Sequence, residues 1–211
     1  MKYILLVLMN IFVLGIQANP VTDMLERIDK GASKKFKIEL KASEKDYFEL
    51  SQDGKKVVVK GNTWVNIATG INWYLKYHAG IHLSWNNMHQ SLPAEMPRVL
   101  QPERHETDLR LRYDFNYCTF SYSMAFWDWK RWQEEIDWMA LHGVNLPLAI
   151  VGEECVWRNV LLKLGYTKDE INKFIAGPAF LAWWEMNNLE GWGGPLPLSW
   201  YDRQETLEKQ I

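Results

Sequence analysis

The sequence predicts an α/β protein built in two parts. Between Leu109 and Gly152 it reads as strand, amphipathic helix and apolar strand, the order of a βαβ unit. Before that, two short runs rich in β-formers meet at Asp53-Gly54, the signature of a tight antiparallel hairpin. Pro93, Pro97 and Pro102 interrupt any regular element between the two regions. The expected fold is a small N-terminal α/β domain with an antiparallel hairpin, followed by βα units of a parallel sheet.

Residues 1–18 read as a secretory signal peptide. Lys2 gives the positive start, Ile4 to Leu14 the apolar middle, and Ile16-Gln17-Ala18 a cleavage site. The apolar run is too short to span a bilayer, and no cysteine follows it to carry lipid. The mature chain is expected to begin near Asn19 and to be secreted or delivered to a periplasm or lysosome.

Val21 to Lys30 then spaces Met24, Leu25 and Ile28 along one helical face, with Gly31 as its stop. Phe36–Leu40, Tyr47–Leu50 and Lys56–Lys60 alternate as strands. From Thr63 to His78 a helix carries Trp64, Ala68, Ile71 and Leu75 on one stripe, leaving Tyr74 off it. Gly80 ends that helix, and Ile81–Trp85 reads as a further strand. Asn86 to Thr107 is the boundary, a short semi-rigid connection. The division is therefore 1–18 signal peptide, 19–90 accessory α/β domain, 91–108 linker and 109–211 the second unit.

In that unit Leu109 to Thr119 reads as a strand ending in a polar tip. Asp128 can cap a helix with Trp129, Trp132, Ile136 and Met139 inward and Lys130, Arg131, Glu134, Glu135 and Asp137 on the other faces. Gly143 sits where a left-handed residue ends a helix. Val144 to Val151 reads as a doubly buried strand, although Pro147 removes a donor inside it. Glu153 to Gly165 is the next helix, with Val156, Val160 and Leu161 inward. Thr167-Lys-Asp-Glu170 is a capping box. Residues 177–198 form a long loop dense in Trp, Gly and Pro, and such loops usually carry function. Ser199 opens a last helix.

Composition narrows the chemistry. A formal net charge of -2 argues against nucleic acid and against an anionic membrane as partners. The five histidines are scattered without ligand spacing, so no metal site is read from them. There is no phosphate-cradling glycine loop and no G-x-S-x-G elbow. Cys118 and Cys155 are the two cysteines. Export permits their bonding, but one pair is no disulfide framework, and a free cysteine serves equally as a small buried hydrophobe. In βα units chemistry lies at the carboxyl ends of strands, which here are Asn116–Thr119 and Gly152–Glu154. Glu153 and Glu154 have two readings: a general acid or base, or first-turn acids favoured by the helix dipole.

The runs NYCTFSYS, WDWKRWQEEIDWMALHGVNLPLA and GPAFLAWWEMNNLEGWGGPLPLSW resemble the α-N-acetylglucosaminidases, family 89 of the glycoside hydrolases. The resemblance is strong over the last half of the chain and looser from Phe36 to Trp85. It implies that the second unit is the incomplete start of a (β/α)8 TIM-type barrel. With two strands where eight close a barrel, the sequence reads as the front portion of a longer enzyme. It implies exo-acting, retaining removal of terminal α-linked N-acetylglucosamine from glycans. The two catalytic glutamates belong to later strands, so none is assigned here. It also implies substrate-binding roles for Tyr74, Asn116, Cys118, Trp183 and Met186, the tyrosine coming from the N-terminal domain. The alternative is a non-catalytic carbohydrate-binding or structural protein using the same aromatic loops.

Overall fold

The computed structural model describes residues 19–211, so the signal peptide expected over 1–18 lies outside the described residues. Helix α1 (Pro20–Ile28) starts at Asn19, whose side chain accepts from Thr22 N, and buries Val21, Met24, Leu25 and Ile28. Strands β1 (Phe36–Leu40), β2 (Asp46–Asp53) and β3 (Lys56–Gly61) follow. Gly54 takes the left-handed turn position (φ +59°) between β2 and β3. Helix α2 (Trp64–Tyr77) is capped by Thr63 and lies across the sheet. Its buried face carries Ile67, Ile71, Tyr74 and Leu75. Tyr74 therefore lies on the apolar stripe, because it is one turn from Ile71 and two from Ile67.

The stretch expected to link the two parts supplies strand β4 (Glu103–Thr107), which pairs antiparallel with β2 and completes the order β1-β3-β2-β4. Its charges masked it: Glu103, Arg104, His105 and Glu106 do not look like a strand, yet an edge strand tolerates charge. Ile81–Trp85, expected as a strand, contributes one isolated bridge, Ser84 to Asn87.

The second part departs further from expectation. Strand β5 is Tyr113–Asp114, and the polar tip after it winds into helix α3 (Tyr117–Ser121) rather than extending a strand from Leu109. Helix α4 (Trp129–Leu141) is capped by Asp128 and ends at Gly143 with φ +81°, as the residues require. Strand β6 is Leu146–Pro147, paired in parallel with β5 alone. Both its residues are exposed, so the doubly buried strand over Val144–Val151 is not realised. A parallel strand becomes buried when it is paired on both sides and covered. With one neighbour, Pro147 costs no ladder bond.

Helix α5 (Glu153–Lys163) leaves Val156 and Val160 exposed and buries Glu154 and Cys155 instead. Helix α6 (Lys168–Phe174) carries the capping box at Thr167 and Glu170. The long loop contains a 3-10 turn (Pro178–Phe180) and helix α7 (Leu181–Glu185). Helix α8 (Leu198–Gln210) follows Pro197. Both cysteines are free; the Cys155 thiol is buried and donates to Tyr201 O at 3.3 Å.

Helix α4 joins the parts. Leu141 and Trp138 pack into the first core beside α1 and α2, while Trp132 packs into a second cluster with Met124 and Leu207. Glu135 and Asp137, expected on exposed faces, are buried. Arg27 of α1 grips Asp137 with two bonds of 2.6 and 2.7 Å. Glu135 accepts from Trp85 Nε1 at 2.7 Å and from Arg131 at 2.9 Å. The Arg131 guanidinium lies over both Trp85 and Trp127. Arg112 ties the parts a second time, bonding Asp46 at 2.8 Å, Asn66 at 3.2 Å and Gly143 O. Burial pushes the Asp46 carboxyl up, but bonds from Arg112, Asn62 and Asn66 outweigh it and hold it below the usual range.

Two outcomes test this packing. In a double-mutant cycle of Arg27→Ala and Asp137→Ala, read by urea unfolding, the coupling should be about 1–3 kcal/mol. A coupling near zero would refute the grip. At Gly70, an added Cβ would meet Val59 Cγ1 at 2.9 Å and Phe48 Cβ at 3.1 Å, beneath α2. Gly70→Ala should therefore lower stability by about 1–3 kcal/mol, overriding the roughly 1 kcal/mol that alanine gains in a helix. An unchanged or raised melting midpoint would show that α2 sits higher on the sheet.

Candidate functional site

The polar tip of β5 is shaped by a strained residue. Phe115 holds φ +74°, a conformation rare for a bulky side chain. It is held there by its N–H, which donates to Asp114 Oδ1 at 2.7 Å, and by edge contacts with Phe120 and Trp132. The bend hands the chain to Asn116, which caps α3: Oδ1 accepts from Thr119 N at 3.3 Å. Asn116 is exposed, and its amide nitrogen donates no hydrogen bond among the described residues. Cys118 follows on the same helix, half-buried.

Helix α7 packs directly on α3 through Ser121. The Ser121 hydroxyl donates to Pro178 O at 3.3 Å and accepts from Ala182 N at 2.9 Å. Tyr122 then meets Trp183 edge-to-face, with ring centroids 5.0 Å apart. Met186 ends α7, and Asn187 at φ +60° turns the chain away. Asn116, Cys118, Trp183 and Met186 thus occupy two helices fastened together. The loop behind them is closed tightly. Gly177 N donates to Trp192 O at 2.7 Å, and a Cβ on Gly177 would stand 1.9 Å from Gly193 O.

Tyr74 is placed elsewhere. It is fully buried in the first core, edge-on to Phe36 and stacked on His78, and its hydroxyl donates to Pro97 O at 2.5 Å. Burial pushes its phenol up to about 12. The structure does not bring it to α3 and α7. Ser121 and Phe115 were missed by sequence reasoning. A serine carries no local signal of a partner 57 residues away, and a left-handed phenylalanine has no sequence signature.

Three carboxyls meet behind the two helices. Glu154 is buried and accepts from Trp200 Nε1 at 2.7 Å. It lines, with Glu185 and Gln204, a cavity of about 30 Å³. That is room for one water, not a pyranose, so Glu154 serves the packing of α5 against α8. Burial raises the carboxyls of Glu153 and Glu154. Burial, with Glu153 and Glu154 nearby, pushes Glu185 up to about 8. Its Oε2 has no hydrogen-bond partner among the described residues. No group of three or more metal-ligating side chains occurs among the described residues, and no helix there is long and apolar enough to cross a membrane.

Because the native state holds the Glu185 proton more tightly than the unfolded chain, stability should fall as pH rises from about 4.5 to about 8. Thermal midpoints across that interval should show the fall, and Glu185→Gln should flatten it. An equally steep fall in the variant would place the titration elsewhere.

Residues 19–98 match the model of the α-N-acetylglucosaminidase N-terminal domain, and residues 112–211 that of its TIM-barrel domain. Human α-N-acetylglucosaminidase is 46% identical over 167 residues, 79% of this chain and 22% of that protein. A family 89 glycoside hydrolase from Clostridium perfringens in complex with PUGNAc superposes with a TM-score of 0.85 at 39% identity, covering 91% of this chain. The same enzyme with two Glu→Gln substitutions, in complex with its substrate GlcNAc-α-1,4-galactose, gives 0.83 at 38%. The chain spans 22% of the length of these relatives. With both domain models matched in order, the chain belongs to the α-N-acetylglucosaminidase family, family 89 of the glycoside hydrolases.

Proposed function

We propose that this chain forms the N-terminal domain and one pocket wall of an exo-acting, retaining glycosidase that removes terminal α-linked N-acetylglucosamine. The observation that carries the reading is the fastening of α3 to α7, which sets a hydrogen-bonding side chain, a soft wall and an indole on adjacent helices. The names of the human and bacterial relatives, and the substrate named for the latter, support the sugar.

In this reading Asn116 spends its carbonyl on the α3 cap and gives its amide hydrogens to a sugar hydroxyl. Trp183, steadied by Tyr122, offers a ring for a pyranose face. Cys118 and Met186 are polarizable walls suited to an acetyl methyl. A retaining mechanism needs a nucleophilic carboxylate and an acid/base carboxyl about 5–5.5 Å apart. The two Glu→Gln substitutions in the substrate complex fit glutamates in those roles. Following the family, we place both on barrel strands beyond the residues of this chain. No cofactor enters the reaction. We also propose export, through the signal peptide read over 1–18, to a secreted, periplasmic or lysosomal destination.

Release of nitrophenol from 4-nitrophenyl α-N-acetylglucosaminide tests the reading, on this chain and on a form extended through a complete barrel. The extended form should be active and this chain inactive. Asn116→Ala in the extended form should lower kcat/KM by about 10–100-fold, the worth of one buried hydrogen bond. Release by this chain alone would shift the carboxylates to Glu153 and Glu154. No release by either would leave carbohydrate binding without hydrolysis.

A further inference from the structure

Helix α7 is fastened at its start, where Ser121 bonds Pro178 O and Ala182 N. Met186 stands at its other end, and the backbone bonds there are local: Met186 N to Ala182 O, Asn187 N to Trp184 O and Asn188 N to Trp183 O. The side chain that reaches inward beside Met186 is Glu185. It lines the cavity of about 30 Å³, which is walled from α5 by Glu154, from α8 by Trp200, Gln204 and Leu207, and from α3 and α4 by Phe120 and Trp132.

That cavity is short of donors. Among the described residues, Glu185 Oε2 and Gln204 Oε1 are both buried and both lack a hydrogen-bond partner. Gln204 is only 8% exposed, so bulk solvent does not serve it. Trp200 Nε1 is spent on Glu154, and no lysine, arginine or histidine lines the space. From α5 the acids Glu153 and Glu154 face Glu185, while the lining residues of α3, α4 and α8 are uncharged. A carboxylate oxygen and an amide oxygen are both acceptors and cannot bond one another, and a buried acceptor left unpaired is costly. A proton on Glu185 removes the conflict, because the acid has one O–H to donate. Burial and the two neighbouring glutamates favour that proton and push the group up to about 8.

We propose that Glu185 is a positioning residue: as the undissociated acid it donates across the cavity to Gln204 Oε1 and seats the end of α7, with Trp183 and Met186, against α8. As the carboxylate it has nothing to donate. Two acceptors and an unpaired charge then share a buried space, and α7 is released at the end that Ser121 does not hold. The seat is therefore made in acid and undone as pH rises through about 8, the direction that a raised carboxyl requires. Glu185 acts on substrate only through its neighbours, since the cavity has no room for a sugar. The inference rests on the glycosidase reading for what the α7 wall binds, but not for the seating of α7 itself.

The test has a kinetic arm and a structural arm, both run from about pH 5 to about pH 9. In the form extended through a complete barrel, KM for 4-nitrophenyl α-N-acetylglucosaminide should rise at least about tenfold across that interval. Glu185→Gln keeps a donor at every pH and should hold KM within about twofold. Glu185→Leu has no donor, and its KM should be raised at every pH without the added step. The exposed change Glu190→Gln should follow the unaltered protein. An equal rise in Glu185→Gln, no rise in the unaltered protein, or identical profiles for the Gln and Leu variants would overturn the proposal. In this chain, hydrogen exchange of the Met186, Asn187 and Asn188 amides is corrected for its intrinsic pH dependence and referred to α4. Their protection should fall above about pH 8 and stay level in Glu185→Gln. That result without nitrophenol release by the extended form would remove the hydrolase reading and leave the seat standing. Release with protection that ignores pH would do the reverse.

Discussion

The structure depends on one helix burying two opposite faces at once. α4 delivers Leu141 and Trp138 to the first core and Trp132 to the second. A helix with two buried faces has little surface left for its charges. Glu135 and Asp137 are therefore taken inside, where an unpaired carboxylate costs several kcal/mol. Arg27 and Trp85 answer that cost from outside the helix, for Asp137 and Glu135 respectively, and Arg131, one turn before Glu135 on α4 itself, adds a second bond to Glu135. Because Arg27 belongs to α1 and Trp85 to the segment after α2, satisfying the helix also fixes the first part against the βα units.

Arg112 repeats the arrangement at the other end. Its guanidinium fork reaches the first sheet at Asp46, α2 at Asn66 and the α4–β6 turn at Gly143. A lysine carries its three donors on one nitrogen and lacks the spread of Nε, Nη1 and Nη2 that reaches these three partners. The chain is thereby anchored just before β5 and the left-handed Phe115 that precedes Asn116.

The proposed pocket wall uses the same economy. Ser121 fastens α3 to α7 with one hydroxyl acting as donor and acceptor, and the closed glycine contacts of the 177–193 loop keep α7 from lifting. Behind it, Glu154 and Glu185 sit in a space too small for sugar. Buried carboxyls near a candidate site attract catalytic readings. Here geometry assigns Glu154 to the packing of Trp200 instead.

Much of this was legible in the residues themselves. Asp128 and Thr167 cap the helices they precede, Gly54 and Gly143 take the left-handed positions, and α1 buries the residues its spacing names. These are local rules, in which a side chain acts within one turn of its own backbone. The tryptophan-rich runs likewise carried the family and, with it, the residues of α3 and α7. What the sequence could not decide was long-range: that charged β4 joins the first sheet, that Tyr74 turns into the core, and that β6 stays exposed for want of a second neighbour. Burial of Glu135, Asp137 and Glu154 belongs to the same class. Periodicity assigns charge to the solvent face, and only a partner brought close by folding makes the interior tolerable for it.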